Sequence, residues 1–460
     1  MPPMVLCEEL IGLYFRYIHV SFHTLFHEPS FRTAFRSGTL PKILLFAVFG
    51  MSARFSQHET LASIPPRERG RPFTKEAERL LNLHDVSLTT IQACLLLGAS
   101  AVAEGGGAIE SVFFSIACRM GLLLDLPNAP VATQIQQEVN YRVWWTLYET
   151  DTWSSIANQL PKMTPLRNIP LPMPEKWFLE LSDTAMPDES PFQECTLSDF
   201  PLAIAPLGSF AAYSVILNHI FPKIDQANAQ SVSDKVSQFD LIQVVEEASH
   251  DLDRWASALP SNMVSTPQNL SYWVENGLGN VFVILHMNYH HLCQLLFYQF
   301  LHGSTNQKNH VQLTSHYAQK CRQHATQLCD LIQLASQTPG AELLNSFVGH
   351  VLTIASTIQL HVLLFSEDDG ETRNARRLLG RNFELLMNLK MYWPCVDLSF
   401  SRFNAFHQAC LRSQDDSQFR MDRWMLKFML EFAAPLAERV KDEDIEGILQ
   451  RPWSQISRAP

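Results

Sequence analysis

Apolar residues recur at three- and four-residue spacing along nearly the whole chain, as in Leu10, Leu13, Tyr14, Tyr17 and Ile18, or Leu292, Leu295, Leu296 and Phe300. That period stacks them on one face of a helix, whereas alternating β-branched runs bounded by Gly or Asn are scarce. The pattern predicts helix as the dominant state and requires no sheet. In the second half the expected helices lie near 206–221, 240–259, 272–301, 310–335, 341–365, 372–391, 401–412 and 421–440.

Breakers punctuate this pattern. Residues 54–72 read as a polar, proline-bearing loop, and Glu104 to Gly107 as a turn between two helices. Between Pro161 and Pro206 nine prolines deny the backbone a helical ladder, so an extended connection lying on or across the helices is expected there. The expected fold class is all-α, a large irregular bundle or α-superhelix with long proline-rich connections and no fixed-period repeat. The last twenty residues read as a half-ordered tail, with Trp453 packing back.

Composition adds three constraints. Apolar residues make up 46% of the 460 and charged residues 18%, a globular mixture with enough apolar surface for a substantial core. The net charge of −11 has the wrong sign for a surface that must neutralise phosphates, so direct DNA binding by this chain is not expected. The nine cysteines stand at long, irregular intervals without any C-x-x-C, which reads as reduced core thiols of an intracellular protein. Three stretches free of charge, 200–222, 276–307 and 343–366, are long enough to cross a bilayer, but His, Asn, Gln, Ser, Thr or Pro dilute each of them. Buried helices are expected instead, and no membrane partner. Glu8 and Glu9 stand where an export signal would carry basic residues.

The segment RVWWTLYETD, Arg142 to Asp151, precedes a turn at Asn158 to Pro161 and then IPLPMP at Ile169 to Pro174. This arrangement resembles the middle homology region of fungal zinc-cluster (Zn2Cys6-type) transcription factors, with Arg142, Trp145, Tyr148 or its neighbour, and Asp151 matching once a one-place shift is allowed at the aromatic position. SIACRMGLLLDLP at Ser115 to Pro127, and Leu10 to Phe31 with His19, His23 and His27, are similar to further segments of that family. So are LHMNYHHLCQLLFYQFL, CRQHATQLCDLI and LLMNLKMYWPCV downstream. The resemblance divides the chain into a middle homology region at 1–180, a proline-rich connection at 181–206, a C-terminal helical part of the same regulatory body at 207–440, and the tail at 441–460.

The same resemblance implies a nuclear regulator of RNA polymerase II-dependent genes, forming homo- or heterodimers. The family's zinc cluster needs six cysteines in C-x2-C-x6-C spacing to share its metal ions, whereas only Cys7 lies in the first ninety residues here. No cofactor is therefore expected. DNA would be reached only indirectly, through a missing N-terminal module or a zinc-cluster partner or co-regulator, and a small-molecule effector is a further expected partner.

Candidate residues for an effector pocket are Arg119, Arg142, Trp145, Tyr148, Asp151, His286, Tyr289 and His290. Trp144, Trp145 and Tyr148 offer aromatic walls of the kind that hold small molecules, although core packing explains them as well. Arg119 and Arg142 are expected to be paired inside the body, and Glu138 stands one helical turn before Arg142. His286 and His290, at i and i+4, share a helix face that suits a metal, but no Glu follows the first His, and structural histidines are expected. No catalytic, metal or DNA-contacting residue is assigned.

The carboxylates Glu367, Asp368, Asp369 and Glu371 are read as a solvated loop. Their rival role is magnesium binding in an all-α enzyme acting on an apolar substrate, which is the alternative to the regulator. The basic clusters at 67–71 and 376–381 are read as solvated surface.

Overall fold

A computed structural model describes residues 1–19, 23–182, 184, 195–199, 208–233, 237–302, 311–412, 419–431 and 436. Most of the connection at 181–206 and the tail with Trp453 lie outside them. Among the described residues there are seventeen α-helices and no strand, so the chain is all-α as its periodicity indicates.

The N-terminal half contains α1 (Met4–Tyr17), α2 (Glu28–Arg36), α3 (Lys42–Ser52), α4 (Arg71–Leu80), α5 (Leu88–Glu104), α6 (Gly107–Leu123), α7 (Gln134–Asn158) and α8 (Glu175–Glu180). After the connection come α9 (Phe210–Ser231), α10 (Gln238–Ser257), α11 (Pro267–Glu275), α12 (Gly279–Phe297) and α13 (Val311–Ser336). The chain continues through α14 (Phe347–Phe365), α15 (Asp369–Lys390), α16 (Val396–Arg412) and α17 (Arg423–Leu430).

Local chemistry sets the ends of these helices. Ser87, Thr133, Ser209 and Thr266 each accept a backbone N–H of the first turn of α5, α7, α9 and α11, the usual role of a short hydroxyl side chain at a helix start. Gly105 ends α5 at φ +82°, a left-handed conformation that glycine adopts without a Cβ penalty. The chain reverses there into α6, whose Phe114 ring packs on the α5 backbone at Gly98, where a Cβ would overlap it. Buried apolar residues then form one contiguous cluster from Leu6 to Leu430, so the two halves share a core.

Several expected bounds are corrected. The helix expected at 272–301 is two helices, because Gly277 at φ +74° breaks the ladder between α11 and α12. The helix expected from 341 begins at Phe347, and the one expected from 206 begins at Phe210 and carries Pro222 inside it. For the helix expected at 421–440, the described part is α17, which ends at Leu430. Of the three charge-free stretches, α14 is long and apolar enough to span a bilayer, yet 78% of its most apolar window is buried within the fold.

The acidic run is solvent-exposed, and it forms a helix start rather than a loop, since Asp368 Oδ1 accepts the Gly370 and Glu371 N–H groups and caps α15. The segment 54–72 is also more than a polar loop. It winds through three 3-10 turns and buries Arg54, which donates to Tyr392 O at 2.8 Å and stacks 4.0 Å from the centre of the Trp393 ring. Within the basic cluster at 67–71, Arg67 pairs with Asp397 at 2.6 Å, Arg71 with Glu104 at 3.0 Å, and buried Arg69 donates to Ser56 O. Arg67 thereby fastens the N-terminal helices to α16, while Arg69 and Arg71 tie the segment to its neighbours within the N-terminal half.

Candidate functional site

α7 runs beside the proline-rich segment, and three of its side chains hold that segment by its backbone. Arg142 Nε donates to Glu138 Oε1 at 2.7 Å, and the guanidinium also donates to Met173 O. Trp145 Nε1 donates to Pro170 O at 2.8 Å. Asp151 Oδ2 accepts the N–H groups of Met163 at 2.8 Å and Thr164 at 2.6 Å. Extended backbone has no ladder of its own, so buried side chains must satisfy its polar groups.

The segment in turn delivers Glu175, whose carboxylate accepts the Phe210 and Ala211 N–H groups at 3.1 and 2.9 Å and thereby caps α9. Negative charge at a helix N-terminus is favourable, and here it orients α9 across α7.

A cavity of about 160 Å³ opens where α6, α7, α9 and α12 converge. α12 presents Val281, Ile284, Leu285 and Asn288 to it, spaced i, i+3, i+4 and i+7. Glu149 and Trp153 come from one turn of α7, Ser214 and Asn218 from one turn of α9, and Glu110 and Phe114 from one turn of α6. Phe210 and Phe347 complete the aromatic wall.

Hydrogen bonds lock this lining. Trp153 Nε1 donates to Asn218 Oδ1 at 2.6 Å, while Asn218 Nδ2 and Ser214 Oγ both donate to Glu149 Oε1, at 2.8 and 3.0 Å. Glu149 lies deep in the fold but keeps some accessible surface, because it borders the void. Burial pushes its carboxyl up to about 7, against the lowering effect of Ser214 and Asn218. Glu110 is likewise pushed up to about 7 by burial, with Ser154 and Asn158 acting in the opposite direction.

None of the eight residues singled out from the sequence borders this cavity. Arg119 is solvent-exposed rather than paired inside the body, which corrects that expectation. Arg142 is buried and ion-paired with Glu138, and it borders a second cavity of about 310 Å³ near α1. Tyr148 OH is 3.2 Å from His219 Nδ1, and Tyr289 stacks on Trp255 with ring centres 5.1 Å apart.

His286 and His290 turn to different partners. His286 Nε2 lies 2.8 Å from Met263 O, and His290 Nδ1 lies 2.9 Å from His324 Nδ1. Among the described residues no group of three or more His, Cys, Asp or Glu is placed to hold a metal ion. In the N-terminal histidine run, His19 Nε2 accepts the Leu25 and Phe26 N–H groups and His23 Nε2 meets Tyr14 OH at 3.0 Å.

Glu110, Glu149, Trp153 and Asn218 are the lining residues that sequence reading passes over. A signal was available for one of them, since Glu110 is an isolated carboxylate within an otherwise apolar helical stretch, AIESVFFSIA.

The profile of the fungal specific transcription factor domain matches residues 11–257, more than half of the chain. The chain belongs to that family. The match begins in α1 and ends with α10, so it takes in α6, α7 and α9, which form three sides of the cavity.

Among curated relatives, the Zn(2)-C6 fungal-type transcription factor FTF1c of Fusarium oxysporum f. sp. lycopersici is 22% identical over 98% of this chain and 52% of its own length. Two uncharacterized transcriptional regulatory proteins of Schizosaccharomyces pombe are 24% and 21% identical over 68% and 89% of this chain, and over 34% and 54% of their own lengths. The chain thus spans about half the length of the Fusarium relative it matches.

Proposed function

We propose that this chain is the regulatory body of a nuclear transcriptional regulator acting on RNA polymerase II-dependent genes, with DNA contact supplied by another module or partner chain. The family match over residues 11–257 carries this reading. A net charge of −11 and the absence of C-x2-C-x6-C spacing in the sequence support the delegation of DNA contact. The chain performs no catalysis in this proposal, and it works as a homo- or heterodimer.

The cavity between the family-matched helices and α12 receives a small-molecule effector. Apolar walls with a few fixed polar groups are the usual lining of a ligand site, and its position across both halves lets occupancy alter their packing.

Fusing the 460-residue chain to a heterologous DNA-binding domain tests the regulatory reading. Reporter output is expected to change several-fold relative to the DNA-binding domain alone, whereas unchanged output from a stably expressed fusion overturns it. The isolated chain is expected to leave duplex DNA unshifted in an electrophoretic assay at physiological salt. Light scattering on the same sample reads the dimer.

A further inference from the structure

We infer that the cavity between α6, α7, α9 and α12 binds a protonated amine carried on an apolar, aromatic-sized body, held by the Glu149 and Glu110 carboxylates beside the Trp153 ring. The inference rests on reading this cavity as an effector pocket and adds the chemical class of its occupant.

Size sets the first limit. At about 160 Å³ the void matches the roughly 150 Å³ that admits benzene into an apolar protein cavity, so one ring with a short substituent fits. Phe114, Trp153, Phe210 and Phe347 line it with aromatic surface, which favours an apolar body by burial and a cation by its interaction with ring faces.

The balance of donors and acceptors sets the second limit. Ser214 and Asn218 spend their donors on Glu149 Oε1, and the Trp153 N–H is spent on Asn218. Glu149 Oε2 has no donor among the described residues, and Asn288 Oδ1 is buried at the cavity without a partner. Glu110 adds a second carboxylate, only 5% exposed and outside any ion pair among the described residues. The void therefore presents an open carboxylate oxygen, an unpartnered amide oxygen and a second carboxylate, with the Asn288 amide N–H groups beside them. An ammonium group supplies up to three N–H donors and the missing positive charge, an alcohol satisfies one acceptor, and a carboxylate is repelled.

Other charged groups around the lining leave this balance in place. Lys162, the neighbouring cation, donates to Thr152 Oγ1 and lies 3.2 Å from the centre of the Tyr148 ring, and its charge reaches Glu149 as a lowering influence smaller than the Ser214 and Asn218 hydrogen bonds. His219 lies against Tyr148 as well, and Asp151 is engaged with the Met163 and Thr164 backbone. His23, at the cavity wall, is lowered to about 3 by burial and stays neutral.

Burial raises the proton affinity of both carboxylates. A bound ammonium draws their pKa values back down, so amine binding at pH 7 releases protons.

Calorimetry on the 460-residue chain with 2-phenylethylamine, 2-phenylethanol and 3-phenylpropionate tests the inference. The amine is expected to bind at least tenfold more tightly than the alcohol, the carboxylate not at all, and the amine's binding heat should vary with buffer ionisation enthalpy as protons leave. Glu149→Gln is expected to weaken the amine at least tenfold and leave the alcohol unchanged. Equal binding of amine and alcohol, binding of none of the three, or full amine affinity in E149Q each overturns it.

Should E149Q fail to fold, proton release in the unmodified chain decides, and its absence is equally fatal. Loss of amine binding with an intact reporter response removes this inference alone. Amine binding without regulatory output in the fusion assay removes the regulatory reading and leaves the site.

Discussion

Glu138 and Arg142 form an ion pair one helical turn apart inside the fold, with Nε 2.7 Å from Oε1 and both side chains almost fully buried. The same Oε1 accepts the Met173 N–H at 3.0 Å, while the guanidinium donates to Met173 O and lies 4.2 Å from the centre of the Phe178 ring. Burial pushes the Glu138 carboxyl up despite the adjacent cation. The pair therefore secures a backbone strap more than it adds net electrostatic energy.

Removing one partner should expose that role. Arg142→Ala leaves Glu138 buried without its cation and is expected to destabilise the chain by about 3–5 kcal/mol. The double variant Glu138→Leu with Arg142→Met should recover part of that loss, the remainder being the Met173 N–H left without a partner, at about 1–3 kcal/mol, since Met173 O keeps the Ser209 hydroxyl at 3.2 Å. Urea unfolding measures both, and additive losses in the double variant would contradict the arrangement.

Asp151 acts on the strap at its other end. Asp151→Ala strands the Met163 and Thr164 N–H groups and is expected to free the backbone near Lys162. Limited trypsin digestion should then cut at Lys162 or Arg167 well before global unfolding, and a cleavage pattern identical to that of the unmodified chain would argue against the clamp.

Stability should depend on pH through groups that burial keeps uncharged. His286 and His324 are lowered to about 4, His291 to about 3, and His290 and His350 well below the ordinary 6.5, with desolvation the first cause in each case. Because the unfolded chain takes up these protons more readily, their contribution is fully present above about pH 6.5 and is lost as pH falls towards the folded values. Glu110 and Glu149 work in the opposite sense, since a carboxyl raised from 4.5 to about 7 binds its proton on folding and favours the fold as pH drops through 7. With His19, His23 and His219 also lowered and Glu138 and Asp225 also raised, eight histidines outnumber four carboxyls, each uncompensated proton shifting stability by about 1.4 kcal/mol per pH unit. The urea midpoint is expected to be highest near pH 7 and to fall from pH 6.5 to 4.5, and a midpoint that rises over that range would refute the assignment.

The cap on α15 separates a helix start from a metal site. Asp368→Ala should cost about 1 kcal/mol, and Asp368→Asn little, because asparagine caps as well as aspartate. Magnesium should leave the thermal midpoint of the unmodified chain unchanged. A rise in that midpoint on adding magnesium, abolished in Asp368→Asn, would restore the enzyme alternative.

What the sequence determined by itself is the helical class, because a period near 3.6 in apolar positions is a local property that survives any arrangement of the helices. It also placed the turn at Gly105 and the extended backbone after Pro161, where glycine and proline act on their own φ angles. The pairing of Glu138 with Arg142 was legible for the same reason, as both lie on one helix. Tertiary structure alone decided where the cavity lies, because Glu110, Glu149, Asn218 and Asn288 come from four helices and nothing local brings them together. It also gave the basic residues at 67–71 partners in Asp397, Glu104 and Ser56 O and buried Arg69 among them, since burial belongs to the packed whole and a charge shows its partner only when a distant segment is in place. Arg119 shows the converse: its segment is apolar enough to suggest burial, yet the side chain faces solvent because its position on α6 points away from the helices packed against it.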